Sequence, residues 1–339
     1  MKIKNLKLRI HNSIVITFAA CLLLLAGCKH NGPEQSGQQT KGTDYSKVVS
    51  PDFNADSAYQ FVVDQLAFGV RHPGTKGHDA CAKYITDNMS RWCDTVIVQK
   101  FSAKLWNNEN VNGMNIIGSL RPELENRVLL AAHWDSRRWA DHDLDTNNWR
   151  KPLPGANDGA SGVAVLMEMA RVMSAMPPDM GIDFVFFDVE DQGIPEWAER
   201  YEDNTWCLGS QHWSKNPHRM FYTAKYGILF DMVGCSKPRY TKEEVSMGFA
   251  QGIVNKVWNA AAALGYSNVF VDELTNAILD DHLYVNQILR IPTIDIVQNS
   301  KECNFYPHWH TMNDNLEAID RNTMKTVATV CMKVIYGEN

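Results

Sequence analysis

The feature that most constrains the fold is the alternation of short apolar runs with longer helical patterns along most of the chain. The helical patterns have apolar residues three and four positions apart, and they are SAYQFVVDQLAFGV, HDACAKYITDNMSRWC, GVAVLMEMARVM, EEVSMGFAQGIVNKVWNAAAALG and TMKTVATVCMKVIY. The apolar runs predict strands, and they are TVIVQKF, MNIIGSL, RVLLAAH, IDFVFFDVE, YGILFDMVG and PTIDIVQ. Continuous apolar runs are typical of strands buried on both faces. The sequence therefore predicts a single α/β domain, with helices flanking a mostly parallel, mixed sheet.

Polar clusters follow three of the predicted strands. RVLLAAH runs into His133 and Asp135, and IDFVFFDVE ends at Glu190, directly before Asp191. YGILFDMVG carries Asp231 near its end. In open α/β sheets, ligands bind in the crevice outside the carboxyl ends of the strands, so these three clusters predict one site.

Asp158 lies in the small-residue run GANDGASG, directly before a helical pattern. Taken alone, this position is equally typical of an acidic residue at a helix N-terminus. Together with Asp191 and His310, however, it supplies three candidate ligands from separate segments, which is the number that a catalytic zinc ion takes in an open site. A histidine among carboxylates suits zinc better than magnesium or calcium. We therefore expect a zinc centre, although each acid alone is more typical of a helix cap or a surface ion pair.

The N-terminus predicts export. Residues 1–27 have a basic start, an apolar stretch and a small-residue end, as in a secretory signal peptide. Their ending, LAGC, resembles the lipobox of bacterial lipoproteins, which implies a lipid on Cys28; the alternative is an ordinary signal peptide or membrane anchor with a chance cysteine. Residues 28–48 are polar and predict a flexible tether, and residues 49–339 predict the folded domain. The expected location is the bacterial cell envelope, anchored to the membrane and exposed to the periplasm.

Charge and cysteine content limit the partners. Removal of the signal peptide removes four basic residues and no acidic one, so the formal charge changes from −6 to −10, which argues against nucleic acid as a partner. An exported location permits disulfides but does not define their pairing among the six later cysteines, which are Cys81, Cys93, Cys207, Cys235, Cys303 and Cys331. No C-x-x-C pair predicts a structural zinc site, and a monomer is the favoured state.

Five motifs, in order along the domain, resemble the zinc aminopeptidase family and, within its fold, most closely the glutaminyl cyclases. They are HWDSR, GANDGASG, FFDVED, FDMVG and HWHTMND. For an aminopeptidase, the resemblance implies Glu190 as the base and two zinc ions, held by His133, Asp158, Asp191, Asp231 and His310. For a glutaminyl cyclase, it implies a single zinc ion, held by Asp158, Asp191 and His310.

The motifs WHT and DDH favour the cyclase. The resemblance then implies a role for each remaining candidate: Glu190 transfers protons, Asp231 and Asp281 join a hydrogen-bond network, Trp309 and Trp197 form the apolar wall of the substrate pocket, and His133 and Asp135 either support the ligands or hold a second metal ion. The implied substrate is a peptide or protein with an N-terminal glutamine, which cyclises to pyroglutamate with release of ammonia.

Two other functions remain open, a two-zinc aminopeptidase and a non-catalytic peptide-binding lipoprotein. Many relatives have two consecutive Glu residues where this chain has Glu190 and Asp191. Because Asp is one methylene shorter than Glu, an aspartate ligand requires its backbone to lie closer to the metal. The sequence leaves open which of the two acids binds zinc.

Overall fold

The computed structural model describes residues 42–198, 203–299 and 305–338. The predicted signal peptide and Cys28 lie outside these residues. One compact unit begins at Thr43, within the segment expected to be a tether. Tyr45 is buried in the core, and the ammonium group of Lys333 donates a hydrogen bond to the carbonyl oxygen of Val48. Within the described ranges, none of the helices combines the length and the apolar character needed to cross a bilayer.

Strands form two sheets in the described residues. Their bounds are β1 Thr95–Lys104, β2 Asn110–Leu120, β3 Arg127–His133, β4 Gly181–Phe187, β5 Tyr226–Phe230, β6 Tyr240–Glu243, β7 Phe270–Thr275 and β8 Thr293–Ile296. The larger sheet has the order β1-β2-β4-β3-β5-β8, and β6 pairs with β7. Strands β4, β3, β5 and β8 run parallel, whereas β2 pairs antiparallel with both β1 and β4. The predicted mostly parallel, mixed sheet is confirmed.

Helices cover this sheet. Their bounds are α1 Ala55–Ala67, α2 Lys76–Trp92, α3 Ala160–Ala175, α4 Leu208–Lys215, α5 Glu244–Ala263, α6 Asp281–Tyr284 with a π turn at Val285–Leu289, and α7 Arg321–Tyr336. Short 3-10 turns lie at Thr146–Asn148, Asp203–Thr205 and Leu316–Ala318. All five helices predicted from periodicity are present.

Strand β3 shows why the sequence contains continuous apolar runs. Val128 and Leu130 belong to the core cluster that includes helix α3, whereas Leu129 and Ala131 belong to a second cluster with Trp213. Because both faces of the strand are covered, every residue of β3 is buried. The carboxyl ends of the four parallel strands lie at one edge of the sheet, and every residue of these four strands is buried.

Candidate metal centre and active site

A pocket of about 510 Å³ opens at this edge of the sheet. Its wall includes the five candidate residues Asp158, Glu190, Asp191, Asp231 and His310. Glu190 and Asp191 follow β4, Asp231 follows β5 directly, and Asp158 lies just before α3. The structure thus brings together residues that the sequence placed at separate strand ends and loops.

Three of these side chains form a compact ligand set. Nε2 of His310 lies 3.1 Å from Oδ1 of Asp191 and 3.6 Å from Oδ2 of Asp158. One ligand atom from each residue lies within 4.8 Å of the others, and none of the three residues is more than 3% exposed.

The chemistry of this set fits zinc. Oδ2 of Asp158 and Oδ2 of Asp191 are buried and have no hydrogen-bond partner among the described residues. A buried carboxylate without a partner is costly, and a cation between the two would stabilise both. Burial also lowers the pKa of His310 well below its usual value, so its imidazole is neutral, as a metal ligand must be.

His133 forms a second cluster that shares Asp158. Its Nε2 lies 3.0 Å from Oδ1 of Asp158 and 3.2 Å from Oδ1 of Asp231. Burial alone would lower the pKa of His133, but the neighbouring carboxylates of Asp135, Asp158 and Asp231 outweigh it and raise the pKa well above its usual value. This arrangement suits either an imidazolium between two carboxylates or a ligand of a second metal ion.

Glu190 stands apart from the three proposed ligands. Its Oε1 accepts a hydrogen bond from Sγ of Cys207 at 3.2 Å, and a carboxylate oxygen of Asp280 lies within 4.8 Å of the same group. Burial, with Asp280 close by, raises the pKa of Glu190 well above its usual value. Burial likewise raises the pKa of Asp231 to about 7. A carboxyl group with a raised pKa holds a proton at a pH where an ordinary carboxyl group is ionised, which suits it to transfer protons.

Helix α6 begins between the two aspartates of the DDH motif, Asp280 and Asp281. Asp280 is the N-cap residue and lines the pocket, whereas Asp281 is the first residue of the helix, is fully buried and is absent from the pocket wall. Asp280, which the sequence analysis left without a role, therefore faces Glu190. The motif alone does not distinguish the two residues, because the difference depends on where the helix begins.

The aromatic wall contains one expected tryptophan and one that the sequence analysis missed. Trp309 lines the pocket and stacks on His310, with ring centroids 3.7 Å apart. Trp206 also lines the pocket, and its ring lies parallel to that of His310 at 6.0 Å. Trp197 is not among the lining residues; it packs against Trp139 and other aromatic rings instead. No local pattern distinguishes Trp206 from other tryptophans of the chain.

Two buried aspartates hold the loops that carry the candidate ligands. Asp135 accepts hydrogen bonds from the backbone N–H groups of Glu190 at 3.0 Å and Asp191 at 3.2 Å. It therefore orders the turn after β4, which carries Glu190 and Asp191. The loop before Asp158 is held by Asp314, whose carboxylate accepts hydrogen bonds from the backbone N–H groups of Asn157 and Asp158 at 2.8 and 3.1 Å. Asp314 ends the HWHTMND motif, but the motif gave no sign of this role.

The backbone around the pocket is strained at four positions. Non-glycine residues with positive φ are found at Val189, Cys207, Met232 and His310, with φ values of 57°, 56°, 49° and 55°. Such conformations are costly, above all for a β-branched residue, and they cluster at functional sites whose surroundings fix the geometry. The chain therefore holds Glu190 and His310 in place through the backbone beside them.

Solved structures similar to this chain include a glutaminyl cyclase and an aminopeptidase precursor. A glutaminyl cyclase from Bacteroides thetaiotaomicron, solved with N-acetylhistamine, is 46% identical, with a TM-score of 0.85 over 86% of this chain and 100% of that chain. A leucine aminopeptidase precursor from the same organism is 45% identical, with a TM-score of 0.84 and the same coverage.

Curated relatives show the same two activities. The glutaminyl-peptide cyclotransferase of Bos taurus is 24% identical over 293 residues, which are 75% of this chain and 74% of that protein. Aminopeptidase YwaD of Bacillus subtilis is 26% identical over 236 residues, or 67% of this chain. The chain spans 45% of the length of YwaD.

The sequence profile of peptidase family M28 matches residues 115–335, which include every pocket residue discussed above. The matched region covers more than half of the chain, and the cyclase structure is covered from end to end. On both grounds, the chain belongs to peptidase family M28, and within it to the bacterial glutaminyl cyclases.

Proposed function

We propose that this protein is a glutaminyl-peptide cyclotransferase with one zinc ion. It converts the N-terminal glutamine of peptides and proteins into pyroglutamate and releases ammonia. The observation that carries this proposal is the division of the pocket into a buried ligand set, a separate group of acids with raised pKa values, and an aromatic wall. The similarity to solved glutaminyl cyclases supports it.

The reaction requires one proton to change place. The α-amine nitrogen of glutamine forms a bond to the carbon of its own side-chain amide, the bond from that carbon to the amide nitrogen breaks, and no water is consumed. Glu190 takes the proton from the attacking amine and delivers it to the leaving nitrogen, since an amide nitrogen leaves poorly unless protonated. When bound, zinc polarises the side-chain carbonyl and stabilises the negative charge that develops on its oxygen.

The acids beside Glu190 serve the same transfer. Asp280 lines the pocket and can hydrogen-bond the reacting nitrogen, and its negative charge helps to raise the pKa of Asp231. Neighbouring carboxylates cannot all ionise cheaply, so this group retains a proton at neutral pH. We assign to Asp280 the role that the resemblance gave to Asp281, because Asp280 is the member of the pair at the pocket wall.

The aromatic wall positions the substrate. Trp309 and Trp206 present apolar faces next to His310. A glutamine side chain that packs against this surface is folded so that its amide carbon lies close to its own α-amine. This positioning lowers part of the activation barrier of cyclisation.

The proposal of a single zinc ion depends on His133. Its Nε2 lies between Asp158 and Asp231 at hydrogen-bond distances, and these carboxylates raise the pKa of the ring. We propose that a protonated His133 bridges the two carboxylates, because a protonated histidine cannot bind a metal. His133 would then take the place that a second zinc ion occupies in an aminopeptidase.

The second candidate function is a two-zinc aminopeptidase, favoured by the cluster of His133, Asp158 and Asp231. The two functions are separated when the purified protein is incubated with a glutamine-initiated peptide and, separately, with a leucyl amide that releases a chromophore. The cyclase releases ammonia from the first substrate and no amine from the second. Release of the chromophore without ammonia would overturn the proposal.

A further inference from the structure

We infer that Arg137 and Asp141 form a buried ion pair that positions two of the three zinc ligands, Asp191 and His310. This inference rests on the proposed function, because it takes Asp158, Asp191 and His310 as the residues that hold zinc. Neither member of the pair lines the pocket, so both act through the ligands rather than on the substrate.

The ion pair between Arg137 and Asp141 is bidentate and buried. Nε of Arg137 donates to Oδ1 of Asp141 at 2.7 Å, and Nη2 donates to Oδ2 at 2.6 Å. Arg137 is 1% exposed and Asp141 is 2% exposed. Two parallel hydrogen bonds fix the plane of the guanidinium as well as its position, so its remaining nitrogen has a defined direction.

That remaining nitrogen holds Asp191. Nη1 of Arg137 lies 3.1 Å from the backbone carbonyl oxygen of Asp191 and 3.3 Å from its Oδ1. A ligand one methylene shorter than Glu reaches the metal only if its backbone lies close, and the bond to the carbonyl fixes the backbone there. Contact with Oδ1 leaves Oδ2, which has no partner in the described part of the chain, to bind the cation.

The other member of the pair stands behind His310. Oδ1 of Asp141 lies 3.6 Å from Nδ1 of His310, and this nitrogen has no hydrogen-bond partner among the described residues. A carboxylate behind Nδ1 favours the tautomer with its hydrogen on that nitrogen, which leaves the lone pair of Nε2 for the metal. The backbone N–H of His142 also donates to the carbonyl oxygen of His310 at 3.1 Å, so the Asp141 loop and the ligand are tied together.

The pair also supports the aromatic wall. The guanidinium carbon of Arg137 lies 4.6 Å from the ring centroid of Trp206 and 5.5 Å from that of Trp139. Trp206 in turn lies parallel to His310. One cation thus contacts a ligand, a carboxylate behind a second ligand and a wall residue, which explains why an arginine with its five donors suits this position.

The chain offers a matched control in Arg127 and Asp183. Nε and Nη2 of Arg127 both lie 2.6 Å from Asp183 oxygens, and both residues are buried. Arg127 begins strand β3, at the opposite end from His133. This pair matches the first in chemistry and burial but has no contact with the ligand set in the described structure.

The test measures the zinc dissociation constant of the purified protein by competition with a chromophoric chelator, and the melting temperature of the metal-free protein. Asp141→Asn should raise the zinc Kd by about 10–100-fold, the usual cost of losing a residue that orients a metal ligand. Arg137→Lys should also raise it, since a lysine cannot bond Asp141 and Asp191 at once. Asp183→Asn should lower the melting temperature but leave the zinc Kd unchanged.

A wild-type zinc Kd in Asp141→Asn and Arg137→Lys would overturn the inference, as would an equal rise in Asp183→Asn. If Asp141→Asn does not fold, the zinc Kd of Asp141→Glu is measured in its place. Because this variant keeps the negative charge, it should keep most of the zinc affinity, whereas Arg137→Lys should lose it. If Asp141→Glu no longer bound zinc, this result would count against the inference. A wrong ligand set can be distinguished from a wrong inference about Arg137 and Asp141. If the ligand set is wrong, His310→Ala should bind zinc as tightly as wild type.

Discussion

Oδ1 of Asp191 lies 3.1 Å from Nε2 of His310, inside the proposed ligand set. The neighbouring acid, Glu190, instead contacts Cys207 and approaches Asp280. Two consecutive acids thus belong to different parts of the pocket, and their variants should fail in different ways.

Glu190→Gln keeps the shape of the side chain but removes its ability to accept a proton. Zinc content should stay close to wild type while turnover falls by roughly 10²–10⁴, the usual contribution of general acid–base catalysis. Asp191→Ala should lose both zinc and activity, because only two protein ligands would remain. Metal analysis and steady-state kinetics on the same preparations measure both effects.

Asp191→Glu is the sharper control for these assignments. It restores the pair found in many relatives and should retain at least partial zinc binding. The roles of the two acids would have to be exchanged if Glu190→Gln emptied the metal site while Asp191→Asn left it full.

The zinc content of the protein tests the proposal that His133 is not a zinc ligand. The wild-type protein should contain close to one zinc ion per chain, and chelation should abolish turnover. His133→Ala should retain that zinc ion, because its Nε2 contacts Asp158 and Asp231 and lies outside the proposed ligand set. Two zinc ions per chain, with activity that requires His133, would support the aminopeptidase instead.

Asp280 and Asp281 should differ in their effect on turnover. Asp280→Asn removes a proton-sharing carboxylate from the pocket wall and should reduce kcat strongly at unchanged zinc content. Asp281→Asn changes a residue behind the wall, so its kcat should fall less. If Asp281→Asn had the larger effect on kcat with zinc intact, the catalytic role would return to Asp281.

Stability at acid pH should depend on Asp183. Burial alone would raise the pKa of Asp183, but the hydrogen bonds and charge of Arg127 outweigh it and hold the pKa below its usual value. The stabilisation is therefore present above the unfolded pKa of about 3.9 and is lost as the pH falls through the lower folded pKa.

Urea unfolding of the metal-free protein at neutral and acid pH measures this dependence. Asp183→Asn leaves Arg127 buried without its partner and should lower the free energy of unfolding at neutral pH by about 3–5 kcal/mol. Its stability should then change less with acidification than that of wild type. Asp87→Asn, which breaks an exposed ion pair with Lys83, should behave like wild type.

We also propose that Cys28 carries a lipid and anchors the protein to the bacterial cell envelope, since LAGC precedes a polar segment. Expressed in a bacterium with its signal peptide, the protein should partition into the detergent phase. Cys28→Ala should move it to the aqueous phase without changing the activity of the folded unit. Unchanged partitioning of this variant would mean a different anchor.

The fold was predictable where burial is complete. RVLLAAH matches β3 residue for residue, because a strand covered on both faces needs apolar side chains throughout. Strands β6 and β7 were missed because they are short and lack a continuous apolar run: β6 is YTKE, and β7 is FVDELT. Helix α4, LGSQHWSK, was missed because its eight residues are mostly small or polar.

The sequence predicted which candidate ligands lie together at the pocket, but not which residues hold them in place. Asp158, Asp191 and His310 stand in motifs that name them. Arg137 and Asp314 also stand in motifs, HWDSR and HWHTMND, but the motifs do not indicate their roles, because these depend on contacts with distant loops, such as the bond between Asp314 and the backbone of Asp158. The motif pointed to Asp281 instead of Asp280, because the two residues differ only in their position relative to the start of helix α6.

The bond between Asp158 and Asp314 joins residues 156 positions apart, and it has a consequence for the order of events during synthesis. The eight strands of the described ranges all end by Ile296, before either His310 or Asp314 has been made. A chain that stops shortly after β8 therefore contains every strand of the sheet but lacks one ligand and the support of another. A complete set of the proposed zinc ligands and their supports thus marks a chain that has been translated past Asp314.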